Sequence, residues 1–148
     1  MENKEIANEL NKLLKGEEMA VQAYEKFIAG ADDEKIREGL QQIQKNHKLN
    51  ADKIAERIQE LGAQAEYSTG LPGFFADMKL GMEMSGKSSD EILKQAYDGE
   101  DKGIAAAEKV IKEDLDDTSM SIIHDVLSCD HDHLKAMLSL MSSNTTIQ

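Results

Sequence analysis

Glu17, His47, Glu100 and Asp130 each stand where an apolar residue is due. The four series are Leu10, Leu13, Glu17, Ala20; Leu40, Ile43, His47, Ala51; Leu93, Ala96, Glu100, Gly103; and Ile123, Val126, Asp130, Leu134. Three carboxylates and an imidazole gathered in an apolar interior are costly, because they lose hydration and the acids raise one another's pKa values. A bound cation relieves both penalties, and mixed carboxylate and imidazole ligation suits iron, manganese or zinc. His133, three residues beyond Asp130, falls on a compatible helix face, and His131 borders the same stripe. The candidate metal ligands are therefore Glu17, His47, Glu100, Asp130, His133 and His131, for one or two ions of Fe, Mn or Zn. Tyr24 and Tyr97, within two turns of Glu17 and Glu100, are candidate hydrogen-bond donors to the carboxylates. No organic cofactor is expected.

Four long helices must position these groups. Apolar residues at alternating steps of three and four predict helices over roughly 2–29, 34–61, from Ser88 or Ser89 to the turn at LDDTS (115–119), and 119–142. Gly30 ends the first, Asp32 or Asp33 caps the second, and Gly62 ends it. Glu17 lies about 14 residues before the first turn and His47 about 16 after it; Glu100 and Asp130 lie about 15 residues either side of the last turn. At about 1.5 Å per residue, all four fall within one turn of each other near mid-bundle.

The segment 62–89 holds the single Pro, several Gly and a short apolar piece that predicts a helix of about three turns. It is too long for a tight turn and long enough to run back along the bundle. The expectation is an all-α, four-helix bundle with a long crossover between helices two and three, forming one domain over 1–148 with a frayed tail at 143–148. An ordinary up-down bundle with a large loop is the alternative.

A shift of 83 positions lays the first half of the chain on the second. Leu10 meets Leu93, Gly16 meets Gly99, Glu17 meets Glu100 and Lys26 meets Lys109. This predicts an internally duplicated helical hairpin with a pseudo-twofold axis.

The net charge of −12 disfavours nucleic acid and anionic membrane surfaces as partners. One Cys precludes an internal disulfide, and no apolar run approaches the about 20 residues of a membrane span. The N-terminus MENKEIANELNKLL is charged and amphipathic, unlike a signal peptide, so a soluble cytoplasmic protein is expected. Cys129 is expected as a small core residue and the methionines as packing, with a homodimer compatible with their faces.

Glu17 with Tyr24, Glu100, Asp130-x-x-His133 and the long crossover resemble the ferritin-like superfamily. L-x-x-G-E in helix one, Tyr97-x-Gly99-Glu100-Asp101 and His131-Asp132-x-Leu134 are similar to an uncharacterised bacterial ferritin-like four-helix family, a domain of unknown function. The resemblance implies a metal site in mid-bundle. A di-iron member supplies Glu from two helices and Glu-x-x-His from the other two. Helix two here offers only Gln44-x-x-His47 or His47-x-x-Asn50, so a bridging carboxylate is missing and a single or lower-charge site is easier to build. Two function classes follow. One is a metal-binding protein with redox or metal-handling activity. The other is a metal-free bundle that acts through its surface as an interaction or stress-associated protein.

Overall fold

The computed structural model describes residues 2–67 and 86–146. The described residues form four α-helices: α1 (Asn3–Gly30), α2 (Glu34–Glu60), α3 (Ser89–Ile111) and α4 (Asp117–Thr146). There is no strand among the described residues. The sequence sets the helix ends through capping chemistry. Glu2 and Glu5 form a capping box at the start of α1. Asp33 accepts from the Ile36 amide at 2.9 Å, Ser88 from Glu91 at 3.1 Å and Asp116 from Ser119 at 2.7 Å. The cap on Asp116 starts α4 two residues earlier than the periodicity alone suggests, and α4 continues to Thr146 past the expected end near Ser142. At the end of α2, Gly62 takes φ +81° and the Ala63 amide donates to the Ile58 carbonyl, the six-to-one bond of a Schellman stop.

Two tethers reveal the topology. Ser89 Oγ accepts from the amides of Asp32 and Asp33, each at 3.0 Å, so α3 starts beside the α1–α2 turn. Arg57, near the far end of α2, donates to Ser119 Oγ at 3.1 Å and to Asp116 Oδ2 at 2.9 Å in the α3–α4 turn. Helices α2 and α3 therefore run the same way, and the chain between them must traverse the bundle length. The long crossover is the observed arrangement and the up-down alternative is excluded. The crossover's first residues dock on α1 through Asn11, which donates to the Gln64 carbonyl and accepts from the Glu66 amide. The short helix expected inside it, the Gly70–Phe75 stretch and Met78, Met82 and Met84 lie outside the described residues.

Helix α1 packs on α2 and α3, and α4 on α3 and α2. The core divides into two apolar layers. One holds Leu10, Leu14, Ile54, Ile58, Ile123 and Val126. The other holds Tyr24, Phe27, Ile36, Leu40, Leu93 and Met137. A fully buried Leu or Ile contributes about 1.5–3 kcal/mol, so two such layers can carry a polar layer between them. The duplication is visible here. Leu10 and Leu93, both 0% exposed, lie in opposite layers, seven residues ahead of Glu17 and Glu100. Gly16 and Gly99 are exposed, and a Cβ on either meets nothing within 4 Å, so neither serves a close helix approach. Gly39 faces a side chain: its Cβ would lie 2.6 Å from Leu140 Cδ1, the movable end of a half-buried residue across the α2–α4 contact.

No helix among the described residues is long and apolar enough to cross a membrane.

Candidate metal centre

The polar layer between the two cores is built by one buried acid or imidazole from each helix, plus a second imidazole from α4. Glu17, His47, Glu100, Asp130 and His133 are 7%, 4%, 5%, 3% and 3% exposed, so solvent does not discharge them. Helical spacing explains this: each replaces an apolar residue in its stripe, and His133 follows Asp130 by one turn. His47, Glu100, Asp130 and His133 each offer one ligand atom, and these atoms all lie within 4.8 Å of one another.

His47 is the hub. Its Nδ1 lies 2.6 Å from Glu17 Oε2, and its Nε2 hydrogen-bonds Glu100 Oε1. Glu17 therefore reaches the group only through the outer nitrogen of His47. Tyr24 donates to Glu100 Oε1 at 2.8 Å, across the α1–α3 contact rather than back to Glu17 on its own helix. Tyr97 is half-buried and packs on the apolar layer that holds Tyr24, Phe27 and Met137. His133 Nδ1 lies 3.3 Å from Glu100 Oε1 and 3.7 Å from Asp130 Oδ1. Neither His133 Nδ1 nor Asp130 Oδ1 has a hydrogen-bond partner among the described residues. The outer Nε2 of His133 is 3.0 Å from Asn46 Nδ2 and 3.5 Å from Cys129 Sγ. Cys129 is thus half-buried against a site residue rather than part of an apolar layer.

Electrostatics follow from this crowding. Burial pushes Asp130 up, and the charges of Glu17 and Glu100 add to it, giving a pKa of about 8. Burial alone would raise Glu100, but His133 and His47 outweigh it and hold the carboxyl down at about 2. Burial works against protonated His47 and His133 too. Hydrogen bonds and charges from Glu100 and Glu17 nonetheless hold His47 well above its ordinary value. Contacts with Cys129 and Glu100 raise His133 to about 9. Burial also raises the Tyr24 hydroxyl, and Glu100 raises it further, so it stays a donor.

Of the six residues singled out from sequence, four converge and Glu17 stands behind His47. His131 is exposed and outside the group: one residue from Asp130 is a rotation of about 100°, which carries it off the buried stripe. Gln44 is buried but turned elsewhere, donating to the Val21 carbonyl and to Glu25. Periodicity missed Asn46, which supports His133 from outside the apolar stripe. It also gave no weight to Asn50, which is 4% exposed with its Nδ2 lacking a partner among the described residues.

The residues present suit a cation. Asp130 Oδ1 and His133 Nδ1 are buried without a hydrogen bond among the described residues, and they lie 3.7 Å apart in a group of lone-pair donors that either protons or a metal ion must hold together. Two imidazoles and two carboxylates match the preferences of iron, manganese and zinc. The outer Nδ1–H of His47 donates to a carboxylate, Glu17, as metal-ligating histidines commonly do.

The family described as "Domain of unknown function (DUF2383)" matches residues 5–113. Among solved structures, the chain is similar to a two-domain protein from Anabaena variabilis with DJ-1/ThiJ/PfpI-like and ferritin-like domains. The TM-score is 0.80 at 16% identity, over 100% of this chain and 39% of that one. It is also similar to the bacterioferritin-related protein of Bacteroides fragilis, a dodecameric thioferritin. There the TM-score is 0.74 at 15% identity, over 99% of this chain and 90% of that one. No curated protein matches the sequence. The fold is ferritin-like.

Proposed function

The chain belongs to the family of unknown function DUF2383, and on that premise we propose that it is a metal-binding ferritin-like protein whose bundle centre holds one first-row divalent ion. The observation that carries this reading is the buried four-residue group His47, Glu100, Asp130 and His133, in which Asp130 Oδ1 and His133 Nδ1 make no hydrogen bond among the described residues. Both structural neighbours are described as ferritin-like or bacterioferritin-related, which supports the metal reading without naming the ion.

Each residue has a task. Glu17 accepts from His47 Nδ1–H and so presents Nε2 inward. Glu100 is anchored by Tyr24, which frees its charge from any need for solvent. Asp130 and His133 complete the set from one turn of α4. Iron or manganese would supply one-electron redox chemistry there, and zinc Lewis acidity alone. The two apolar layers exclude water above and below, so the ion would be sequestered.

A second reading rests on the same contacts. If Asp130 stays protonated and both imidazoles stay charged, Glu17 and Glu100 are neutralised within the layer. The bundle could then act through its surface with no metal. Elemental analysis decides between them. The protein is purified without chelator or metal-binding tag, then exposed anaerobically to Fe(II), alongside the near-isosteric Glu100→Gln variant. About one ion of Fe, Mn or Zn per chain, reduced in the variant, supports the metal centre. No metal in either leaves the second reading. The Bacteroides protein's dodecameric state makes assembly worth measuring by light scattering in the same samples.

A further inference from the structure

Asn50 is the third buried residue with a side-chain atom that makes no hydrogen bond among the described residues, and it differs in kind from the other two. Asp130 Oδ1 and His133 Nδ1 can offer lone pairs, whereas Asn50 Nδ2 offers N–H. A cation satisfies the first two and cannot satisfy the third. Leaving a buried amide unpaired costs free energy, so its partner should be a lone-pair donor that arrives with the ion. Position supports this. Asn50 lies one turn beyond His47 on α2, on the same buried face. The shift of 83 that lays Glu17 on Glu100 lays Asn50 on His133. Helices α2 and α4 are antiparallel, so Asn50 and His133 step away from the acid–imidazole layer in opposite directions. Where α4 supplies the imidazole of His133, the matching place on α2 supplies an amide donor.

We propose that Asn50 is a binding residue for a small exogenous ligand, water or a small anion, that shares the metal ion with the four protein groups. It donates from Nδ2 to that ligand and does not touch the ion. This assignment rests on the metal reading above.

The test uses the full chain loaded with Co(II), whose visible spectrum reports changes in its ligands, titrated with azide. The unsubstituted protein is compared with Asn50→Leu, which keeps the volume and removes the amide, and with Asn50→Ala in case Leu does not fit. Circular dichroism checks that each is folded. The expected result is an azide dissociation constant about tenfold weaker in the variants, in the range for a lost hydrogen bond to a charged acceptor, with Co(II) affinity changed less than about threefold. Equal azide affinity in all three overturns the assignment alone. A Co(II) affinity that falls by more than about tenfold in the variants also overturns it, since it makes Asn50 a metal ligand through Oδ1. No Co(II) spectrum in the unsubstituted chain overturns the metal reading itself.

Discussion

Loading the centre with a divalent ion should expel protons, and their number follows from the geometry. Metals take carboxylate and neutral imidazole as ligands. Without metal, burial and the Glu17 and Glu100 charges hold the Asp130 carboxyl at about 8. His133 sits at about 9, and His47 is held well above its ordinary value. At pH 7 such a carboxyl is about 90% protonated and such an imidazole about 99%. With His47 added, about three protons leave as one ion enters, and apparent affinity should rise about a thousandfold between pH 6 and 7. Titration calorimetry with Zn(II) in two buffers of different ionisation heat counts the protons directly. Asp130→Asn sharpens the test. The amide resembles the neutral carboxyl in shape, so metal-free stability at pH 7 should change by less than about 1 kcal/mol. Release should fall to about two protons, and Zn(II) affinity should drop by about a hundredfold or more. Release of less than one proton by the unsubstituted chain at pH 7 would refute the protonation scheme. So would a variant that releases as many protons as its parent.

The same shifts set the stability of the metal-free protein. His133 and His47 contribute stability that is fully present below about 6.5 and lost as pH rises through their folded values, about 9 for His133. Asp130 acts in the same direction, because the unfolded carboxyl gives up its proton near 3.8 while the folded one keeps it to about 8. Urea midpoints of metal-free protein should therefore fall from pH 6.5 to 9, and a flat or rising series would contradict the scheme. Tyr24→Phe removes the donor to Glu100 while keeping the edge-to-face contact with Phe27 at 5.4 Å. It should cost about 1.5–3 kcal/mol in chemical denaturation, the range for a buried hydrogen bond to a charged group. Gly39→Ala places a Cβ 2.6 Å from Leu140 Cδ1, the movable end of a half-buried side chain, so Leu140 should turn aside and the better helix propensity of Ala should raise stability by up to about 1 kcal/mol. A loss of more than about 1 kcal/mol in chemical denaturation, relieved in a Leu140→Ala background, would instead show that Leu140 is held in place.

Periodicity in the sequence was enough to find the helices, because apolar stripes recur with the helical repeat, and the crossover length was enough to suggest the bundle's topology. It also located the layer, since residues that break a stripe at one height must meet. What it could not give was rank within the layer. Glu17 and Glu100 occupy equivalent positions in the two hairpins, yet Glu100 joins the four-residue group while Glu17 stands behind His47. That difference depends on side-chain rotamers and on which partner reaches an atom first. The same holds for Tyr24, whose hydroxyl crosses to another helix. His131 and His133 differ by two residues in sequence, and only rotation about the α4 axis separates the exposed one from the buried one. Asn46 and Asn50 carry no signal in hydropathy, because an amide off the stripe reads as surface and an amide on it reads as noise.

The duplication bears on why the proposed centre would take one ion rather than two. The second hairpin supplies Glu100, Asp130 and His133, all within the group, while the first supplies only His47. At the place matching Asp130 the first hairpin has His47, and at the place matching His133 it has Asn50. Each replacement removes a ligand or a negative charge from that side. With ligands in their metal-binding forms, Glu100 and Asp130 supply two negative charges and the imidazoles none, which balances one divalent ion. Glu17 adds a third charge, already engaged by His47 Nδ1–H. A second divalent ion would bring two more positive charges into a buried layer with only that one carboxylate left to meet them. Excess charge of that size, walled in by apolar layers, is far more costly than leaving the first hairpin's half to an amide.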